Sequence, residues 1–479
     1  MAEPKQELEQ SFFQKEENIN ESDLERIEEN AEKNFRVYRY RYFNLFIYVL
    51  GMIQISIMQT SFSPQAAELI QVYKKSTLIY NFTSLIHMIV HVPMSFPANY
   101  IVEKYGTKVG NTIGCIFALI ACWIKCFVNY SFNYAILGQF FVGCANPFII
   151  NAISKISSNW FYPAQRAFIT GILSFFSTVS GIIGLLIPGI YFSSYTTNND
   201  DPQYTKGKKL TFDLLLFQAI IVSLFAIVNL IFYKDKPLTP PSYSSKVQRE
   251  EFGDSLKFLI KNKTYLLITL CFSLIYGSFI DFAVILGQVI SPYGFGTTET
   301  TISSIICVAS GILGSVVLLR LLKKTFQYKR LAILCIISST LSIILFAFML
   351  QTELFALVLI PCIVLGFFII PIIPIMLELA NEVCFPVGEA IVSGFLYSIS
   401  HVIGFVLGSG FSLIIESGSD KKSGAFWCIC TFGCVFTVGL FSVFLMKQTL
   451  NRTNAERIQE QERNKLSTED FYEENNVNN

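Results

Sequence analysis

Charge is what this sequence has little of. Only 15% of its 479 residues are Asp, Glu, Lys or Arg, where a soluble chain of ordinary composition carries about 25%. Histidine is scarcer still, with 3 in the whole chain. No nucleophile stands beside a base in a catalytic motif, and there is no glycine-rich phosphate loop. An enzyme is therefore not expected, and neither a cofactor nor a metal site is expected. The 12 cysteines do not change this. Cys115, Cys122, Cys126, Cys144, Cys271, Cys307, Cys335 and Cys362 fall in or beside apolar runs, and Cys428, Cys430 and Cys434 cluster without zinc-ligand spacing. They read as small packing residues. A basic surface for nucleic acid is lacking too. No cleavable signal peptide is expected, because roughly the first 35 residues are polar and rich in acid; the first apolar helix would serve as the targeting signal.

What is there is apolar. The chain is 52% hydrophobic and contains 45 Phe, with a mean hydropathy of +0.49. The apolar residues fall into runs of about 20, the length that crosses a bilayer as helix. Runs are expected at 42–62, 78–102, 109–128, 133–157, 167–193 and 210–233, and again at 264–290, 300–322, 329–350, 353–380, 388–415 and 424–447. The sequence thus predicts an all-α membrane protein of about twelve transmembrane helices in two six-helix halves, 42–233 and 264–447. Residues 1–41 and 448–479 read as disordered tails and 234–263 as a central linker. Within the linker, Pro237, Pro240 and Pro241 rule out a continuous helix through its first part. After them, Phe252, Leu256, Leu259 and Ile260 recur at helical spacing, which suggests a short amphipathic helix as against a plain solvated linker. Lys and Arg are richer and closer to the span ends on one side of the membrane, at Lys33 to Arg41, Lys104, Lys108, Lys155, Arg166, the linker, and Arg320 to Arg330. That side is expected to be cytoplasmic and to carry both termini and the linker.

A few polar residues sit where lipid or helix should be. Asp281 lies in the seventh span, at an insertion cost of about 2.5–3.5 kcal/mol; it reads as an anchor for a cation or a proton, or else as a structural acid bonded to a neighbouring helix. His87 and His91 share a face of the second span and His401 lies in the eleventh. They suit a proton relay or a ligand set, or plain hydrogen bonding between helices. Gln54, Gln59, Asn146, Asn151 and Gln288 are amides within the spans that could serve a polar substrate or bond helix to helix. Glu378, Glu382 and Glu389 flank a turn without Lys or Arg between spans ten and eleven. They read as a gate latch, with Arg320, Lys323, Lys155 or Arg166 as partners, against the alternative of solvated loop charge.

The turn PANYIVEKYGTK is similar to the signature loop of the major facilitator superfamily, with Glu103 for the acid, Gly106 for the glycine and Lys108 for the base. The strings VPMSFPANYIVEKYGTK, CWIKC, LGQFFVGCANPFIINAISKISSNWF, YKDKPLTPPS and ELANEVCFPVGEAIVSGF, in this order over roughly residues 40–447, resemble the feline leukaemia virus subgroup C receptor-related family. That resemblance implies a major facilitator-type bundle in two pseudo-symmetric halves and the transport of choline, ethanolamine, haem or another solute. It also implies a choline site, an aromatic cage closed by amides. Carried over, the cage's first-span Trp falls on or near Gln59 and its seventh-span Tyr on Ile280, beside Asp281. Its two Gln fall on Asn146 and His401. Two aromatic walls are thus replaced, and a cation held by a carboxylate and amides is the expected substitute, with Phe62, Phe279 or Phe282 as candidate rings. The reading is a multi-pass transporter of a small solute in the plasma membrane or an endomembrane, working by alternating access as a monomer in the lipid bilayer. A haem or metabolite exporter, or a receptor or scaffold that transports nothing, is the alternative.

Overall fold

The computed structural model describes residues 38–62, 69, 72–75, 77–192, 204–241, 252–295, 297–417 and 421–458. Most of the expected tails, 1–37 and 459–479, and 242–251 of the linker lie outside the described residues. The first half is built from α1 (Tyr40–Gln59), α2 (Thr77–Tyr105), α3 (Thr107–Lys125), α4 (Asn133–Ile150), the short α5 (Ile153–Trp160), α6 (Pro163–Phe192) and α7 (Thr205–Phe232). The linker contributes α8 (Phe252–Lys261). The second half is α9 (Lys263–Ile290), α10 (Thr297–Thr325), α11 (Tyr328–Leu350), α12 (Phe355–Cys384), α13 (Glu389–Ser417) and α14 (Lys421–Leu445). A last helix, α15, covers 451–458.

Eleven of these helices are long and apolar enough to cross a membrane. The remaining long helix, α2, has 29 residues, which at 1.5 Å per residue reach about 43 Å, enough to cross as well. It carries a stripe of polar residues, Thr83, His87, His91, Ser95, Asn99 and Glu103, each four positions from the last. Neighbours at that spacing adjoin on the helix surface and the stripe winds slowly around it; Thr83, His91, Ser95 and Asn99 are all buried, so α2 belongs between helices rather than against lipid. By contrast α7 exposes Phe217, Ile220, Leu224, Ile227 and Ile231 at three- and four-residue steps, the pattern of a lipid-facing surface. An even number of crossings brings Tyr40 of α1 and Leu445 of α14 to one end of the bundle. That end also holds Lys104, Lys155, Arg166 and Lys324 and is called the basic end below.

The core divides in two. One apolar cluster runs from Ile47 to Tyr233 and the other from Leu259 to Met446. Each borrows one residue across the chain: Ala390 packs with the first and Ala167 with the second. The halves meet where α2 lies along α13 and where α6 lies along α10 and α12. Two boundaries differ from the sequence reading. The expected fourth span breaks at Asn151 and Ala152, after Pro147, into α4 and α5. The chain after 447 does not become a free tail at once: Gln448 donates to the Phe326 carbonyl at 2.7 Å, Asn451 donates to the Val383 carbonyl at 3.0 Å, and α15 follows.

Candidate functional site

The polar stripe of α2 is matched by polar residues on α4 and α5. The Asn146 amide nitrogen lies 3.2 Å from Nδ1 of His91. Asn151 donates to Ser95 at 3.2 Å and to Asn99 at 2.8 Å. Lys155 forms an ion pair with Glu103. The second half joins the same line through α13, which runs antiparallel to α2. The His401 ring stacks on the His91 ring with centroids 4.1 Å apart and planes 13° from parallel. One level nearer the basic end, Gly394 leaves room for Asn99, whose side chain a Cβ there would strike. Nearer still, the Ala390 backbone amide donates to Glu103 at 2.7 Å. A closed seam therefore runs from mid-bundle to the basic end, and its three layers join the two halves.

Asp281 stands outside this seam. It is 5% exposed on α9, against the backbone of Gly408 on α13, where an added Cβ would come within 2.9 Å of its carboxylate. Its Oδ2 has no protein partner. The approach depends on Gly277 and Gly404, which let α9 and α13 nearly touch one turn earlier. Gly408 is seven residues beyond His401, so Asp281 sits about 10 Å further toward the outer end. In the first half Gln139 is likewise seven residues from Asn146, and it donates to the Gln59 carbonyl at 3.1 Å. Gln59 and Asp281 thus share an outer level, and Asn146, His91 and His401 share a deeper one. Gln288 lies at the outer end of α9, and its side chain is outside the described residues. Of the rings considered for a cage, Phe282 packs on Phe346 and Phe432, 5.6 Å from each, within the second core. Phe279 also belongs to that core. Phe62 lies against Phe132 with Lys125 over its face.

At the basic end the acids expected to form a latch are buried, and Glu378 and Glu382 pair with a base outside the expected set. Arg452 of α15 reaches Glu378 at 2.6 Å and Glu382 at 3.2 Å. The Thr453 backbone amide and hydroxyl also donate to Glu382. Thr170 of α6 donates to Glu378 at 2.7 Å. Arg166, at the start of α6 and 1% exposed, pairs with Glu456 of α15 at 3.1 Å; Glu389 and Glu378 are charged neighbours of the same guanidinium. Burial works against the charge of Arg452, but Glu382 and Glu378 outweigh it and push its pKa up. One network so ties the first half, through α6, to the second, through α12, with α15 in between.

Two expected gate residues lie outside this network. Arg320 is exposed and pairs with none of these acids among the described residues. Its neighbours Leu318 and Leu319 face the core, so helical periodicity turns Arg320 outward. Lys108 is exposed as well. Among the described residues its backbone amide is what is engaged, donating to Asp235 at 3.2 Å. Asp235 closes the turn between α2 and α3: it also accepts from Thr107 at 2.9 Å. Gly106, at φ 95, gives it space that a Cβ would fill.

The sequence reading passed over Arg452, Glu456, Asp235 and Lys125. Arg452 and Glu456 lay in a stretch read as tail, although their spacing of four residues is a helical signal. Lys125, from the string CWIKC, is fully buried and donates to the Met58 carbonyl at 2.5 Å, capping the end of α1.

These features have counterparts in known proteins. The pattern of the Major Facilitator Superfamily matches residues 44–409. The cat choline/ethanolamine transporter FLVCR1 is 26% identical over 329 residues, 67% of this chain and 56% of its own length. The chain thus spans little more than half of that relative, and 70% of the mouse protein of the same name, to which it is 24% identical over 402 residues. Solute carrier family 49 member A3 of Xenopus tropicalis is 26% identical over 396 residues, 79% of each chain. Among solved structures, the E. coli fucose:proton symporter FucP superposes with a TM-score of 0.66 at 11% identity, covering 86% of this chain and all of that one; at that identity the likeness is one of fold. With the family pattern over most of its length and a bundle of membrane-crossing helices in two halves, this chain belongs to the major facilitator superfamily and is an integral, multi-pass membrane protein.

Proposed function

We propose that the protein is a transporter that moves a small organic cation by alternating access of its two halves, with Asp281 as the charged anchor. The observation that carries this reading is a buried carboxylate with one oxygen free of protein partners, at the outer level of the bundle. A carboxylate in such surroundings is costly unless something meets it. Gln59 and Asn146 supply amides at that level and the next, and His401 closes the floor.

The chemistry favours a cation that carries N–H groups. A quaternary ammonium has no donor and is held by aromatic faces, and Phe62 and Phe282 already pack on other rings. An amine can donate directly to a carboxylate, which makes the stronger, charge-assisted bond. Ethanolamine, named for the relatives, fits this better than choline.

The gate we propose is the basic-end network: Glu103 with Lys155, Glu378 and Glu382 with Arg452, and Glu389 beside Arg166. Breaking it would open the basic end, taken as cytoplasmic from the Lys and Arg distribution. Uptake of labelled ethanolamine, choline, a neutral sugar and a carboxylate into proteoliposomes tests the reading. Ethanolamine uptake that Asp281→Asn abolishes is the expected result. Uptake of only the neutral or anionic solutes, or full ethanolamine uptake by the variant, would overturn it.

A further inference from the structure

The stacked histidines are the innermost layer of the seam, joined across the halves by ring stacking. We propose that His401 Nε2 is a proton-binding site whose occupation parts α2 from α13, so that the proton is a second ligand of this protein. The inference rests on the alternating-access reading above and adds the ion that biases it.

The two rings leave one basic nitrogen. The Tyr397 carbonyl only accepts, and His401 Nδ1 lies 2.7 Å from it, so that nitrogen carries the hydrogen. The Asn146 amide nitrogen only donates, so His91 Nδ1 accepts and His91 Nε2 carries its hydrogen. His401 Nε2 therefore takes the first proton. The seam offers the resulting imidazolium nothing to balance it. From α2 the titratable neighbours of His91 are His87 and, across the seam, His401. From α4 the facing group is the neutral Asn146, with Cys144 nearby. From α9 they are Tyr276, packed on Tyr397, and Asp281, about 10 Å further out. From α5 it is Lys155, already paired with Glu103. Among the described residues, no carboxylate is in contact with the stack.

Two cations at this ring separation would bind the second proton on the order of a thousandfold more weakly than the first. A single imidazolium loses its hydration in the closed seam and regains it when the helices part. The parted state binds more protons, so falling pH favours it. With an ordinary imidazole value of about 6.5 in the parted state, lowering the pH from roughly 7.5 to 5.5 should shift the equilibrium between parted and closed about tenfold.

The test reads the distance between the halves, not transport. Spin labels on Lys108→Cys and Lys324→Cys, both exposed at the basic end of opposite halves, would be placed in the full chain in nanodiscs, with Cys430 and Cys434 changed to Ser. Without any solute, the population at long distance is expected to rise about tenfold over that pH range. His401→Gln, which keeps a hydrogen-bonding side chain but does not titrate, should remove the shift. If that chain does not fold, His91→Phe is the second variant. It offers the imidazolium an aromatic face to rest on and should shrink the shift. No shift in the otherwise unaltered protein, or an undiminished one in either variant, overturns the proposal. Absence of uptake for every solute alongside an intact, His401-dependent shift would overturn the carrier reading alone.

Discussion

The basic end and the middle of the bundle both bury charged or titratable side chains, but they treat them differently. At the basic end the charges are matched: Arg452 meets Glu378 and Glu382, Arg166 meets Glu456, and Lys155 meets Glu103. In the middle, Asp281 Oδ2 and His91 Nε2 are buried with no protein partner. Charges that hold a structure together are satisfied within the chain, because an uncompensated buried charge costs several kcal/mol. A buried titratable group left open carries a cost that a ligand or proton can offset. On the function proposed above, the matched charges of the basic end are the lock and the open groups of the middle are the site.

The strongest way to break the contrast is to unmatch the lock. Arg452→Gln leaves two buried carboxylates facing each other and is expected to cost about 3–5 kcal/mol, read as a lower melting temperature in detergent and as solvent access to a cysteine at Ser154, buried on α5. Combining it with Glu378→Gln and Glu382→Gln removes the uncompensated charge and should return most of the stability while leaving the basic end easier to open. If the single variant melts as the unaltered protein does, the lock is not a lock.

Asp281→Asn sharpens the other side. It should lower ethanolamine transport at least a hundredfold, about 2.7 kcal/mol at 1.36 kcal/mol per decade, while the melting temperature holds or rises, since the acid removed had an oxygen without a partner. A loss of stability that tracks the loss of transport would make Asp281 a structural acid like those of the lock.

Asp235→Ala tests a satisfied acid of a smaller kind. It removes the acceptor for Thr107 and for the Lys108 amide at the start of α3, and about 1 kcal/mol of stability should go with it, with transport unchanged per folded molecule. The smallest effect belongs to Glu353, which Lys422 meets at 2.6 Å on the exposed surface. The hydrogen bond from Lys422, and then its charge, hold the Glu353 carboxyl below its ordinary range. A group shifted in that direction adds stability above its unfolded value and loses it as pH falls through the folded one, but exposure to water leaves little to lose. Glu353→Gln should leave the melting temperature unmoved between pH 4 and 8, and a measurable drop would show that matched charge matters here even in water.

Much of this was legible in the residues. Twelve apolar runs broken by a proline-bearing linker and bracketed by Lys and Arg give a helical membrane bundle, because backbone in lipid must satisfy its own hydrogen bonds. Asp281 and His401 stood out by being costly where they are. The proposed lock is legible by half: Glu378, Glu382 and Glu389 stand out as acids without bases nearby in sequence, and the partners expected for them, Arg320, Lys323, Lys155 or Arg166, include Arg166, a charged neighbour of Glu378 and Glu389, but not Arg452. Arg452 lies 70 residues beyond Glu382, in a polar stretch whose composition reads as tail. The four-residue stripe from Thr83 to Glu103 is visible in the sequence too, although only His87, His91 and Glu103 in it stand out there as functional candidates.

The sequence by itself determined the solvent this chain folds in, the number and length of its helices and the break between its halves, since each of these follows from local hydropathy and charge. Only the tertiary structure decided which helices touch. It put His401 on His91, Gly394 around Asn99 and Arg452 between two glutamates. Those pairings join residues far apart in the chain, and in a membrane apolar faces are interchangeable, so contacts are selected by small residues and buried polar groups. Hydropathy carries no record of that choice.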